Sequence, residues 1–162
     1  KQKYSKASTG YKSIMKIILA LANPSEYIFL DEPVLGLDAN HRHIFNKKLL
    51  EAYARRPRTF VIATYLIEEV ASILEKVIVI KDGVVTEEVL VEDVLRKGYV
   101  VSGASSLVQE YVADKKVLET EQIGNFTRSV VIGAIGETQP GLEFSPLTLQ
   151  DYFISITRKE NE

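Results

Sequence analysis

The chain is expected to fold as an α/β domain followed by a small α+β appendage, and three features of the sequence predict this. Short apolar runs suited to buried strands alternate with stretches of helical periodicity over residues 1–89. Asp82-Gly83, set between two β-branched runs, then marks an antiparallel hairpin at the edge of such a sheet. From residue 90 to 162 the segments become shorter and less regular, which suggests a compact accessory region.

Taken in order, Ser8 or Thr9 can cap a helix from about Gly10 to Asn23, because Ile14, Ile17, Ile18 and Leu21 recur at helical spacing. Tyr27 to Asp31 reads as a strand buried on both faces, given four consecutive apolar residues. A helix follows from about Ala39 to Arg56 and is broken by Pro57, after which Phe60 to Ala63 form a second buried strand. Leu66 to Leu74 read as a helix, and Lys76–Ile80 and Val84–Val89 as the two arms of the hairpin. Val91 to Lys97 is a short helix stopped at Gly98. Tyr99–Val101, Lys116–Glu119 and Thr127–Ile132 are expected strands, and Ser106–Val112 and Leu147–Thr157 expected helices, the last just after Pro146.

Composition bounds the possible functions. A length of 162 residues suffices for one core, or one core with an appendage. A net charge of −2 leaves no large basic field for nucleic acid. The chain has 0 cysteines, which excludes disulfides and thiolate chemistry and suits a cytosolic location. The longest apolar run, Ile17 to Ala22, is far short of the ~20 residues of a membrane span, and no charged leader with an apolar follow-on opens the chain. Any membrane role is therefore expected to come through a partner.

The chemistry concentrates where the first strand ends, at Leu30-Asp31-Glu32-Pro33. Burying a carboxylate without a partner is costly, so the strand should emerge there at its C-terminal edge, where open α/β sheets bind ligands. Successive strand side chains point to opposite sides, so one acid can serve a metal ion and the other a water molecule. A strand ending in two solvated acids is the plainer reading, and what surrounds the pair decides between them.

Asp31-Glu32-Pro33-Val34-Leu35-Gly36-Leu37-Asp38 resembles the Walker B and D-loop segment of ATP-binding cassette (ABC) ATPases, which are P-loop NTPases. Ala7-Ser8-Thr9-Gly10-Tyr11 sits where that family carries its LSGGQ signature, and Thr59 to Tyr65 is similar to its strand and switch loop, usually ending Thr-His. Three motifs in order, covering residues 4 to 89, are far more specific than any one. A narrower similarity, to ATPase subunits of Gram-positive exporter-type ABC systems, rests on Val34–His41, Leu66–Val70 and Leu147–Phe153.

The resemblance implies an ATPase that uses ATP and Mg²⁺. Asp31 would help hold the metal, and Glu32 would orient or polarise the attacking water. Ser8, Thr9, Gly10 and Tyr11, at a helix N-terminus suited to anions, would close over nucleotide bound by the opposite subunit of a head-to-tail dimer. Gly36, Leu37 and Asp38 would run along the dimer interface, although Asp38 can equally cap the next helix. The departures are Ala7 for Leu, Thr9 for Gly, Tyr11 for Gln and, most consequentially, Tyr65 for the switch histidine. A phenol still donates one hydrogen bond but is neutral and longer than imidazole, so a slow or weak site is expected.

No G-x-x-x-x-G-K-[ST] phosphate loop occurs, and Gly133-Ala-Ile-Gly136 is not followed by Lys-Ser. The expectation is the C-terminal part of a larger ATP-binding subunit, inactive alone, coupled to a second ATPase subunit and a transmembrane permease at the inner face of the membrane. A catalytically degenerate regulatory half-domain and a soluble ABC protein are the competing readings. Exposed sheet edges in such a piece also predict self-association. His41 and His43 have no carboxylate or Cys partner at metal-ligand spacing and read as surface histidines, and Lys47, Lys48, Arg55, Arg56 and Arg58 read as a solvated basic face. Tyr4, Tyr11, Tyr53 and Tyr99 are scattered and suggest nothing collective.

Overall fold

The structure, a computed structural model, describes residues 8–158. Tyr4 and Ala7 of the sequence reading therefore lie outside the described residues, as does the side chain of Thr9. The chain divides into two compact units that meet between Ile73 and Leu74.

The first unit begins with helix α1 (Thr9–Ala22) and runs through strand β1 (Tyr27–Asp31), helix α2 (Ala39–Arg55), strand β2 (Thr59–Ala63) and the short helix α3 (Ile67–Val70). β1 and β2 pair in parallel, Tyr27 opposite Thr59 and Asp31 opposite Ala63, with α2 as the crossover that parallel pairing requires. Where one long helix was expected over 66–74, α3 gives way to a 3₁₀ turn at Ala71–Ile73.

β1 corrects the expectation of a strand buried on both faces. Ile28 and Leu30 are buried, but Tyr27 is 61% exposed and Phe29 75% exposed, and Val61 beside them on β2 is also exposed. Alternation of strand side chains puts the first pair on the helix-covered face and the second on the open one. Ile17, Phe45 and Leu49 anchor α1 and α2 in the core, and an apolar groove of about 420 Å³ stays open between the helices beside Ile14, Leu21 and Ala52. Arg58 closes the C-terminus of α1 by donating to the carbonyls of Leu21, at 2.8 Å, and Asn23, and it stacks on Phe60. One member of the expected basic face is thus committed to a helix end, where a cation is favoured by the dipole.

The second unit comprises β3 (Lys76–Lys81), β4 (Val84–Leu90), α4 (Val91–Arg96), β5 (Gly98–Ala104), α5 (Ser105–Val112), β6 (Lys116–Ile123), β7 (Phe126–Ile132), β8 (Leu142–Pro146) and α6 (Leu149–Arg158). β3 and β4 form the expected hairpin, and both turn residues have positive φ, Asp82 at 50° and Gly83 at 77°. That is the geometry a type I′ turn demands of its two central residues. The hairpin is a two-stranded sheet of its own and packs within the second unit, whereas the sequence reading drew the boundary after residue 89.

A four-stranded antiparallel sheet of order β6-β7-β5-β8 supplies the core. Tyr99, Val101 and Val131 on one face pack with Val108 and Tyr111 of α5, and the Phe144 ring meets the Tyr111 ring edge-on at 5.2 Å. α6 is held to the opposite face by the Arg128–Asp151 ion pair at 2.7 Å, and its buried Ser155, whose hydroxyl is 2.6 Å from the Asp151 carbonyl, lies 3.2 Å from Glu119. β8 was not foreseen, because Pro146 at its end reads as a helix boundary. Helix α6 accordingly starts two residues later than expected. Thr148 and Asp151 exchange hydrogen bonds there, the Asp151 N–H to Thr148 Oγ1 at 3.1 Å and the Thr148 N–H back to the Asp151 carboxylate, a reciprocal cap.

Two segments converge on the buried Tyr152 of α6. Its hydroxyl donates to Glu87 of β4 at 2.5 Å and accepts from Lys97 at 3.0 Å. Burial first, then the bond to Glu87, pushes the phenol up, and the bond to Tyr152 pushes the Lys97 ammonium up. Raised folded values mean that this stabilisation is fully present below the ordinary tyrosine value of 10.0 and is lost as pH rises through the folded ones. Tyr99, raised by burial and its bond to Tyr111, adds to the same loss. The urea-unfolding midpoint should therefore fall steeply above pH ~10. In Tyr152→Phe it should start lower and fall less steeply, with Tyr99 supplying the remaining slope.

Candidate functional site

Glu32 is the residue around which the first unit is arranged. Its φ of 43° is left-handed, an uncommon conformation for any residue but glycine. Such a position costs about 1–3 kcal/mol and persists only where its surroundings over-determine it. Here the surroundings come from the segment after β2. The Glu32 N–H donates to the Ala63 carbonyl at 2.8 Å, carrying the strand pairing one step past Asp31. The Thr64 hydroxyl donates to Oε2 at 2.7 Å, and the Tyr65 N–H donates to Oε1 at 3.1 Å. Asp31, by contrast, lies exposed at the strand end, so the two acids do part company as alternation requires.

After Glu32 the chain turns twice, the Leu35 N–H donating to Glu32 O and the Leu37 N–H to Val34 O. Buried Val34 and Leu37 pin this turn to the core, while Leu35, Gly36 and Asp38 face outward. Asp38 caps α2, with Oδ1 accepting the His41 N–H at 2.9 Å. The His41 ring nitrogen Nδ1 sits 2.8 Å from Oδ2, so this exposed histidine adds its ring to the cap. The His41 backbone N–H and then its ring hold the Asp38 carboxyl below the usual carboxylate range.

At the start of α1, the exposed Ser8 hydroxyl accepts the Tyr11 N–H at 3.3 Å, the capping role that the sequence allowed. The Tyr11 ring is 66% exposed. A Cβ added to Gly10 would sit 3.0 Å from the Gly36 carbonyl, so the signature-like turn and the D-loop-like turn touch through two glycines. Among the described residues no hydrogen bond joins Ser8 to the Glu32 cluster. The expected site residues thus form two groups, Glu32 with residues 63–65 and Gly10 with Gly36.

Two contributors were not read from the sequence. Thr64 bears the shortest contact to Glu32. Arg42, on the second turn of α2, donates through Nε to the Leu37 carbonyl at 2.9 Å and through Nη1 to Glu69 of α3. Asn46 donates to the Glu69 carbonyl at 2.8 Å, so α2 holds the turn before it and the helix after Tyr65 together. A hydroxyl residue beside the switch position was the only signal for Thr64. Arg42 carried none, because its partners lie 5 and 27 residues away.

Tyr65 meets Glu32 through its backbone, and its side chain is 68% exposed. Contact with the carboxylate therefore does not depend on what side chain stands at 65. No group of three or more His, Cys, Asp or Glu that could hold a metal occurs among the described residues. Mg²⁺ is commonly bound by one or two carboxylates with phosphate and water oxygens, and a single exposed Asp31 fits that mode.

A parallel βαβ unit that sets two acids at the end of a strand, against the loop of the neighbouring strand, defines an α/β fold of the class that binds ligands at its strand ends. Its likeness to the crystal structure of a cobalt transport ATP-binding protein bears this out, with a TM-score of 0.52 over 99% of this chain and 52% of that one, at 19% identity. In sequence the chain is 26% identical over 98% of its length to the Nod factor export ATP-binding protein I of Burkholderia orbicola, and 28% identical over 61% to the ABC transporter ATP-binding protein YtrB of Bacillus subtilis. It is 32% identical over 49% to the Nod factor export ATP-binding protein I of Mesorhizobium japonicum. No protein-family model matches the chain. These relatives are named as ATP-binding proteins of ABC transporters and Nod factor export, and the chain is similar to them. It spans 56% of the Burkholderia protein and 34% of the Bacillus one. Among the described residues no helix is long and apolar enough to cross a membrane.

Hydrogen bonds to charged groups contribute about 1.5–3 kcal/mol, and exposed ion pairs up to about 1. Arg42→Leu should therefore lower the urea-unfolding stability of the first unit by about 1–3 kcal/mol. Amide exchange at Leu37–Ala39 and Ile67–Val70 should quicken together in that variant, because one side chain holds both segments.

Proposed function

We propose that this chain is part of the ATP-hydrolysing subunit of an export-type ABC transporter. The observation that supports this best is Glu32, with both carboxylate oxygens accepting hydrogen bonds from the loop after β2. In this reading Glu32 takes the proton of, or orients, the attacking water, and Asp31 holds Mg²⁺ together with the phosphates of ATP. Bound there, the ion would supply positive charge beside the transferred phosphoryl group. Ser8, Thr9, Gly10 and Tyr11 meet the nucleotide of a second ATPase subunit, where the first N–H groups of α1 favour an anion. Gly36, Leu37 and Asp38 line the interface between the subunits, and the Gly10–Gly36 approach lets one closing motion move both. A separate transmembrane permease would receive the work, with the subunit at the inner face of the membrane. Export is the role printed in the names of the Burkholderia and Mesorhizobium relatives.

A regulatory half-domain is the second reading, favoured by the exposed phenol of Tyr65 where a switch histidine is expected. Mg²⁺-dependent ATP turnover separates the two, measured on the protein that carries this chain together with its permease. Catalysis predicts slow turnover in the wild type and a drop of about 10²–10⁴-fold in Glu32→Gln, since an amide cannot take the proton. Tyr65→Ala should lower the rate further if the phenol stands in for the switch. No turnover in any of these proteins would favour the regulatory reading. The 162-residue chain alone, lacking a phosphate loop, should show no turnover.

A further inference from the structure

We propose that Thr64 is a positioning residue for the Glu32 carboxylate; its catalytic consequence rests on the reading of Glu32 given above. Thr64 Oγ1 accepts the Leu66 N–H at 3.0 Å and stands 2.7 Å from Glu32 Oε2. A threonine hydroxyl has a single hydrogen to give. With the Leu66 N–H directed at its oxygen, and Glu32 Oε2 its one acceptor partner among the described residues, that hydrogen goes to the carboxylate. The rotor that is usually free to turn is fixed, and it fixes Oε2.

The other oxygen is held differently. Oε1 accepts the Tyr65 N–H, a contact that any residue at 65 except proline would make. Thr64 therefore supplies the side-chain part of the hold, and a serine would supply it equally well. Valine has the same shape and supplies nothing. Glu32 is also the residue in left-handed backbone, so its side-chain direction is set by these contacts against a local conformational cost. Neither contact uses up a carboxylate oxygen, because each oxygen keeps a further lone pair for water. Thr64 thus sets the direction of the base and leaves it able to act.

The test is Thr64→Val beside Thr64→Ser, in the protein that carries this chain. Misplacement of a reacting group by ~1 Å can cost about 10²-fold. Thr64→Val should lower kcat by about ten- to a hundredfold, with KM for ATP changed less than about twofold, since Thr64 is assigned no contact with nucleotide. Thr64→Ser should recover most of the rate. An unchanged kcat in the valine variant, or a serine variant as slow as valine, would overturn the proposal. A second arm does not depend on turnover. In the 162-residue chain, the ¹³C resonance of the Glu32 carboxyl carbon and the Leu66 amide resonance should both move in Thr64→Val and return in Thr64→Ser. If they stay in place, the proposal is overturned. If they move while the wild-type protein shows no ATP turnover, Thr64 positions Glu32 and it is the ATPase reading that fails.

Discussion

The first unit depends on the parallel pairing of β1 and β2. Parallel neighbours need a crossover, and α2 provides it, so residues 31–38 and 63–66 emerge at the same end of the pair. Everything of chemical interest in this unit follows from that adjacency. The backbone of Glu32 completes the ladder against Ala63, and its side chain meets the next two residues of the same segment. Two donors partner a half-buried carboxylate that would be costly to leave without them. The left-handed backbone at Glu32 is the cost of that arrangement, offset by three hydrogen bonds from one short loop.

Around this centre the helices act as spacers with defined grips. Arg42 reaches back to the Leu37 carbonyl and across to Glu69, so the turn after Glu32 and the helix after Tyr65 keep a fixed relation. Arg58 does the equivalent for the end of α1. Both are arginines because one planar group must serve two acceptors in different directions, which a lysine ammonium does less specifically. What the helices do not do is cover both faces of the sheet. Tyr27, Phe29 and Val61 lie open on the face that α1 and α2 do not reach, although parallel sheets are ordinarily covered on both sides.

The second unit solves a different problem with antiparallel pairing. Its four strands need only turns and short helices between them, so each helix is free to settle on whichever face its apolar stripe fits. α5 takes the face of Tyr99, Val101 and Val131, and α6 takes the other through Asp151, Tyr152 and Ser155. The buried hydroxyl of Tyr152 is satisfied from two directions at once, as buried polar groups must be.

Much of this was legible in the sequence. The strand at Tyr27–Asp31, the helix capped at Asp38, the Asp82-Gly83 turn and the prominence of Glu32 all rest on local chemistry, in which a few adjacent residues carry the whole signal. So does the resemblance to ABC ATPases that the comparisons then bore out. The Gly124-Asn125 turn of the β6–β7 hairpin was a local signal of the same kind, and it went unread. Tertiary structure alone decided the rest. It chose which face of β1 is covered. It set β8 beside β5 at the sheet edge, where the missing N–H of Pro146 is tolerated. It also brought Thr64 and Tyr65 onto Glu32 across more than thirty residues of chain, a distance over which no periodicity or cap can act. Sequence patterns report what neighbours in the chain prefer, and Glu32 is held by neighbours that only folding creates.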